Sequence, residues 1–336
     1  MKTKHAPAAI GLLLLFLAFT GCQKEKDNNT GTEKFTIRGT VKSPNLQKTI
    51  ANALIYADEK TSTYKTYTDA QGRYELKIPL GAHTIYIETG DGKLFKNSFT
   101  VNSSTPDEDV EVPETQSILT LHGRLAYIAG TYDHIEAVVR DTLGYAIAEL
   151  QTSALDNFGL VSSYDAIFIN CGATQQQGVP STAGYENLGN FVAQGGSIFA
   201  SDFGLDYLKG ESDGTCTPAG GFIDDATLCS NRNGTTGTVS SCQIIDPGLQ
   251  NALGTTSIPL EYDLGGWEVI SQFDNTFWSA DITEATSGPL LLHTENYTNS
   301  TGTTPGKIYW TTFHNGFNSG VSTAPQKILE YVIVNL

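Results

Sequence analysis

The chain has 336 residues, enough for more than one hydrophobic core, and its 34 glycines and 17% charged residues suit a turn-rich extracellular protein better than a cytosolic helical one. Its formal net charge is −16, and Lys and Arg form no cluster beyond the first few residues. Nucleic-acid binding, which needs a basic footprint, is thereby excluded. At the N-terminus Lys2 and Lys4 form a positive n-region and Ile10–Ala18 an apolar core, and Phe19, Thr20 and Gly21 precede Cys22. Residues 1–21 therefore read as a secretory signal, since the apolar run falls far short of the roughly 20 residues that span a bilayer.

The small residue before Cys22 resembles the processing site of bacterial lipoproteins. The resemblance implies that Cys22 is lipidated and becomes the new N-terminus. The chain is then exported and lipid-anchored to the bacterial cell envelope, at the outer membrane on either its periplasmic or its surface side. The stretch QKEKDNNTGTEK that follows has no apolar residue, so residues 22–33 read as a solvated tether.

Residues 34–113 alternate as short strands. Phe35 and Ile37, then Ala51–Tyr56, then Tyr74, Leu76 and Ile78, then Ile85 and Ile87 mark successive strands, with turn signals at Asp69–Gly72 and Pro79–Gly81. That spacing predicts a small β-sandwich. The order IRGTV, ANALIYA, YTDAQGRYELKIPLGAHTIYI resembles the carboxypeptidase regulatory-like (transthyretin-like) domain, which implies a non-catalytic spacer or interaction module. Asp69 is expected to accept backbone hydrogen bonds in its turn.

Residues 117–336 change period. Arg124–Ala129 reads as a strand, and a helix carrying Ile135, Val138, Val139 and Leu143 follows, with N-cap residues among Thr131, Tyr132 and Asp133. Ala146–Leu150 is a strand. Ala166–Asn170 is an unbroken apolar run that reads as a strand buried on both faces. Tyr185, Leu188, Phe191 and Val192 form a helical stripe that Gly195–Gly196 ends, and Ser197–Ser201 is a second buried strand. Strand, helix, Gly-Gly and strand make a βαβ unit, whose ligands belong at the carboxyl ends of the strands, at Cys171–Thr174 and Ser201–Gly204. Residues 210–243 read as a turn-rich insertion, and Lys307–Thr312 and Ile328–Val334 close the chain as a strand and a helix.

The Gly-Gly strand, the late Phe313-His314 and the closing helix resemble the class I glutamine amidotransferase-like fold and its ThuA-like relatives. The fold class expected is therefore a transthyretin-like β-sandwich followed by an α/β, flavodoxin-like, mostly parallel sheet with helices on both faces. In that family a cysteine occupies the elbow after the Gly-Gly strand and a carboxylate follows the histidine by two residues. Here the elbow is Ala200-Ser201-Asp202 and the carboxylate position is Gly316, so the resemblance implies a fold without glutaminase chemistry.

Ser201 with His314 is the alternative, a hydrolase pair; otherwise Ser201 and Asp202 cap the helix near Gly204. Cys171, Thr174, Asp202, Trp278, His314 and Asn315 are the ligand-binding candidates, with Cys171 also readable as a buried apolar residue. Trp310 is expected in the core. Trp278 is expected to be exposed, where it could stack on a sugar. Cys216, Cys229 and Cys242 are disulfide candidates in an exported chain, with Cys216–Cys229 and Cys229–Cys242 both open. No C-x-x-C or neighbouring histidine suggests a metal, and no cofactor is expected. The expected role is non-catalytic binding or accessory work at the envelope, on an oligosaccharide, another polymer or an envelope protein.

Overall fold

The structure, a computed structural model, describes residues 32–210, 220–224, 226–298, 304–314 and 323–336. The signal segment, Cys22, nearly all of the tether, Cys216, Asn315 and Gly316 lie outside the described residues.

The first eight strands form two sheets. Strands β1 (Lys34–Thr40), β2 (Leu54–Ala57), β3 (Lys65–Tyr67), β4 (Arg73–Pro79), β5 (Gly81–Glu88), β6 (Phe95–Ser103), β7 (Asp109–Glu111) and β8 (Thr120–Leu121) are ordered β4-β1-β7 in one sheet and β3-β2-β5-β6-β8 in the other. Period-2 burial makes β4 a strand: Tyr74, Leu76 and Ile78 point inward while Arg73, Glu75 and Lys77 face solvent. Ile37, Leu76 and Ile78 of the first sheet share one core with Ile55, Ile85 and Ile87 of the second. Asp69 Oδ1 accepts the Gln71 and Arg73 N–H groups at 2.9 Å, which closes the turn into β4.

The remainder is built on β9 (Leu125–Ile128), α1 (Ile135–Ala137), β10 (Ile147–Glu149), α2 (Phe158–Val161), β11 (Ala166–Ile169), α3 (Ala173–Gln177), α4 (Thr182–Ala193), β12 (Ser197–Ser201), α5 (Asp206–Lys209), β13 (Leu228–Asn231), β14 (Gly237–Ile244), α6 (Pro247–Leu253), β15 (Ser257–Tyr262), β16 (Val269–Phe273), β17 (Ser279–Glu284), β18 (Gly288–Thr294), β19 (Ile308–Thr311) and α7 (Thr323–Asn335). Nine of these strands make one sheet in the order β10-β9-β11-β12-β19-β18-β17-β14-β15, and β13 pairs with β16 in a separate ribbon. The strands from β10 to β19 run parallel, whereas β18, β17, β14 and β15 pair antiparallel, so the sheet is mixed rather than mostly parallel. The cause lies in the connections. Helical crossovers join the first strands, but a tight turn in which Glu284 accepts the Thr286 and Ser287 N–H groups joins β17 to β18, and tight turns reverse the chain.

The parallel strands are buried on both faces. Ala166 and Phe168 pack into one hydrophobic cluster while Ile167 and Ile169 pack into the other, and Phe199 and Tyr309 are likewise separated from Ile198, Ala200, Ile308 and Trp310. Val161, Leu188, Phe191 and Val192 of α2 and α4 cover the second face. The first face is covered by Ile135 and Val139, by Ile328, Leu329 and Val332 of α7, and by the two-sheet module, all within one cluster. Gly90 N–H also donates to Asn335 Oδ1 at 3.0 Å.

Two local expectations change. The helix with Ile135, Val138, Val139 and Leu143 buried is a single α turn followed by a π turn over Val138–Thr142. Its first N–H is not capped by residues 131–133: Ile135 N–H donates to Asn170 Oδ1 at 2.9 Å, so the end of β11 supplies the cap. Within the predicted insertion, β13 and β14 are strands whose outward residues are polar and whose ladders shift register, which hides them from a periodicity reading.

Gly130, just after β9, packs tightly against the residues that follow β11. A Cβ there would meet the Cys171 carbonyl oxygen at 2.3 Å and Asn170 Cβ at 2.8 Å. In α2, by contrast, a Cβ on Gly159 would meet only the Asn157 side chain, at 3.4 Å. Gly130→Ala should therefore destabilise by about 1–3 kcal/mol, while Gly159→Ala should be neutral or stabilise by up to about 1 kcal/mol. Thermal unfolding of both variants checks this, and equal midpoints would refute it.

Candidate functional site

The carboxyl ends of β11, β12 and β19 bring three side chains together. Gly172, with φ at 81°, lets β11 turn into α3 and leaves Cys171 facing the end of β12, where Asp202 takes the left-handed region with φ at 41°. A non-glycine residue held there stores strain of about 1–3 kcal/mol, and such positions gather at functional sites. Here the turn is fixed from two sides. Asp202 Oδ1 accepts the Glu268 N–H at 2.8 Å, and its backbone carbonyl accepts the Trp310 indole N–H at 3.0 Å.

His314, three residues past β19, completes the cluster. Its Nε2 lies 3.1 Å from Asp202 Oδ2 and 3.2 Å from Cys171 Sγ, and the thiol lies 3.6 Å from the same carboxylate oxygen. The other ring nitrogen, Nδ1, faces Asp263 Oδ1 at 3.5 Å. Cys171 and Asp202 are buried and His314 is partly so. Tyr132, 38% exposed, lies nearly parallel to the imidazole with ring centroids 6.5 Å apart, and forms the rim. These sulfur, oxygen and nitrogen atoms are also the one set among the described residues that converges closely enough to hold a metal ion.

Burial pushes the Cys171 thiol well above its ordinary value, and the neighbouring Asp202 charge adds to the shift. A thiol kept protonated is a poor nucleophile. Burial alone would lower His314, but the hydrogen bond to Asp202 and the charges of Asp202, Asp133 and Asp263 outweigh it and raise the imidazole to about 8.

Cys171, Asp202 and His314 meet. Ser201 does not join them: its Oγ accepts the Cys171 backbone N–H at 3.0 Å, and the histidine faces Asp202 instead. Neither Ser201 nor Asp202 makes a side-chain cap to the short 3-10 turn Asp202–Leu205, because both side chains are already engaged across the strand ends. Thr174 bonds Asp206 Oδ2 at 3.2 Å, beside the cluster. Trp278 is buried at 1% exposure, contrary to expectation, because the turn at Asp274–Phe277 ends just before it and delivers its ring into the second cluster. Trp310 is in the core. Cys242 is a free, buried thiol on β14, which removes it from the disulfide candidates, whereas Cys229 is disulfide-bonded.

Asp263, Tyr132 and Glu268 are the residues that sequence reasoning missed. The resembled family has a carboxylate two residues past the histidine, where this chain has Gly316; here a carboxylate stands behind the imidazole from the end of β15 instead. Its only sequence signal is that it directly follows a strand.

No family model matches the chain, and no curated protein matches it. Among solved structures, a candidate GMP synthase component from Thermoplasma acidophilum aligns at 11% identity over 64% of this chain and 94% of its own, with a TM-score of 0.43. A candidate ThuA-like protein from Bacteroides uniformis aligns at 8% identity over 62% of this chain and 88% of its own, with a TM-score of 0.39. A cytoplasmic protein from Salmonella typhimurium aligns at 11% identity over 75% of this chain and 96% of its own, with a TM-score of 0.38. At these scores no activity is carried over.

The raised His314 has a consequence for stability. Its folded value, about 8, exceeds the unfolded value of 6.5, so its contribution is fully present below pH 6.5 and is lost as pH rises through about 8. The loss amounts to about 2 kcal/mol. Denaturant midpoints measured in chelator from pH 6 to 9 should fall in this way for the natural chain and fall less for His314→Gln. Equal slopes would refute the assignment.

Proposed function

We propose that the chain is an exported, lipid-anchored envelope protein. In this reading residues 34–113 are a carboxypeptidase regulatory-like spacer. Residues 117–336 are an amidotransferase-like, ThuA-like domain that binds a ligand without turning it over. The observation that carries the non-catalytic part is the residue at the elbow. After the Gly-Gly strand the left-handed position belongs to Asp202, and the adjacent hydroxyl and thiol are both occupied within the cluster.

The ligand class follows from charge and shape. Asp202, Asp263 and Asp133 surround the imidazole, and the chain carries a net charge of −16, so an anionic ligand would be repelled. A neutral polyol such as an oligosaccharide suits the rim, where Tyr132 replaces Trp278 as the aromatic surface a sugar ring could cover.

The hydrolase alternative with Ser201 and His314 loses its geometric support, because the histidine faces the carboxylate and the thiol. What remains in favour of catalysis is the line Asp202–His314–Asp263, with contacts of 3.1 Å and 3.5 Å. Titrating the chain from residue 22 onward with a panel of neutral oligosaccharides decides the matter. The expected result is calorimetric binding and a rise in melting temperature, both lost in Tyr132→Ala, with no turnover in either protein. No heat and no shift across the panel would remove the carbohydrate reading. Product formation abolished by His314→Ala would overturn the non-catalytic one.

A further inference from the structure

We propose that Cys171, Asp202 and His314 form a three-ligand site for a divalent transition-metal ion, zinc by the chemistry of its donors, with a fourth position left for water or a ligand. This goes beyond the envelope-binding reading and stands independently of it.

The geometry of the three donor atoms carries the inference. Their separations are 3.1 Å for nitrogen to oxygen, 3.2 Å for nitrogen to sulfur and 3.6 Å for sulfur to oxygen. Tetrahedral zinc, with bonds of about 2.0–2.3 Å, holds its ligand atoms about 3.3–3.6 Å apart. A point equidistant from the three observed atoms lies about 1.9 Å from each, so an ion at zinc distances sits slightly out of their plane with one corner open. Three protein ligands and an open corner is the arrangement of a catalytic or ligand-exchanging zinc rather than of a closed structural one. Hard cations are disfavoured because calcium takes six to eight oxygens and magnesium near-octahedral oxygen, whereas one thiol, one imidazole and one carboxylate match a borderline-soft ion.

The surroundings are those a metal site needs. A ligating histidine almost always donates its remote N–H to a carboxylate or carbonyl, which fixes the ring. His314 turns Nε2 to the cluster and Nδ1 to Asp263 at 3.5 Å. Asp202 presents Oδ2 to the cluster while Oδ1 is held by the Glu268 N–H, and the Cys171 backbone is held by Ser201 Oγ. On binding, the sulfur–hydrogen bond of Cys171 and the Nε2–hydrogen bond of the His314 imidazolium give way to bonds to the metal, and both protons pass to the buffer.

Untagged protein from residue 22 onward, stripped with chelator and dialysed against zinc, should retain one equivalent by elemental analysis. Cys171→Ala and His314→Ala should each weaken zinc more than about 100-fold, and Asp263→Asn should weaken it about 10–100-fold. Cys242→Ala should leave it unchanged. Cobalt in place of zinc should give a thiolate charge-transfer band in the natural chain that Cys171→Ala lacks. Retention under about 0.1 equivalent, or affinity unchanged in either ligand variant, would overturn the site. If a variant fails to fold, the cobalt spectrum of the natural chain decides alone, and absence of the thiolate band overturns the proposal.

Discussion

A carboxylate held without solvent at the end of β12 is the constraint on which the rest of the site depends. An unpaired charge there would cost several kcal/mol, and the left-handed turn at Asp202 adds strain of its own. Both penalties are offset only because partners arrive from separate stretches: the Glu268 amide next to β16, the Trp310 indole on β19, the Cys171 thiol after β11 and the His314 imidazole. Moving any one of these elements leaves the aspartate short of a partner. The positions of β11, β16 and β19 relative to β12 are therefore coupled to the chemistry at their ends.

Behind that carboxylate lies a second polar layer. Glu268, whose amide serves Asp202, accepts Ser230 Oγ at 2.6 Å and Arg232 Nε at 2.8 Å, and Arg232 also pairs with Asp206 and lies over the Phe203 ring at 4.6 Å. Buried ion pairs contribute little net stability against apolar replacements, but removing one partner strands a charge. Such a network is better suited to fixing register than to adding stability. Here it ties the β13–β16 ribbon to the elbow, so β13, hidden within the stretch that reads as a turn-rich insertion, helps to satisfy the site.

The legible parts of the fold were those in which one physical rule dominates. The run Ala166–Ile169 faces two cores at once and so has no polar residue to break it; the helical stripe of Leu188, Phe191 and Val192 has only one face to bury; Gly195 stops the helix with φ at 100°. The antiparallel half of the sheet was less legible because strands such as β14 expose polar residues on most positions. The site was only half legible. Strand ends pointed to Cys171, Asp202 and His314 separately, but residues 31, 112 and 143 positions apart meet only through the strand order β11-β12-β19. No spacing rule encodes Asp263, because its strand β15 lies at the far edge of the sheet while its loop reaches back to the histidine. Trp278 misled for the opposite reason: a turn-rich neighbourhood suggested exposure, yet the strand that follows aims the ring inward.

The thiol and the carboxylate place opposing demands on the cluster, and these narrow what it can do. Nucleophilic sulfur needs a thiolate; although the His314 imidazole lies 3.2 Å from Cys171 Sγ, burial and Asp202 within 3.6 Å both favour the neutral thiol. An imidazolium at His314 compensates Asp202 and leaves little charge with which to activate sulfur. A divalent cation reverses each of these relations at once. It neutralises the carboxylate, stabilises the thiolate as a ligand and makes the neutral imidazole the favoured form. The same atoms thus have two self-consistent states, a protonated hydrogen-bonded cluster and a deprotonated coordinated one. In the proposed site, cation uptake exchanges protons for metal beside Asp133 and Asp263, whose charges favour positive charge at the cluster.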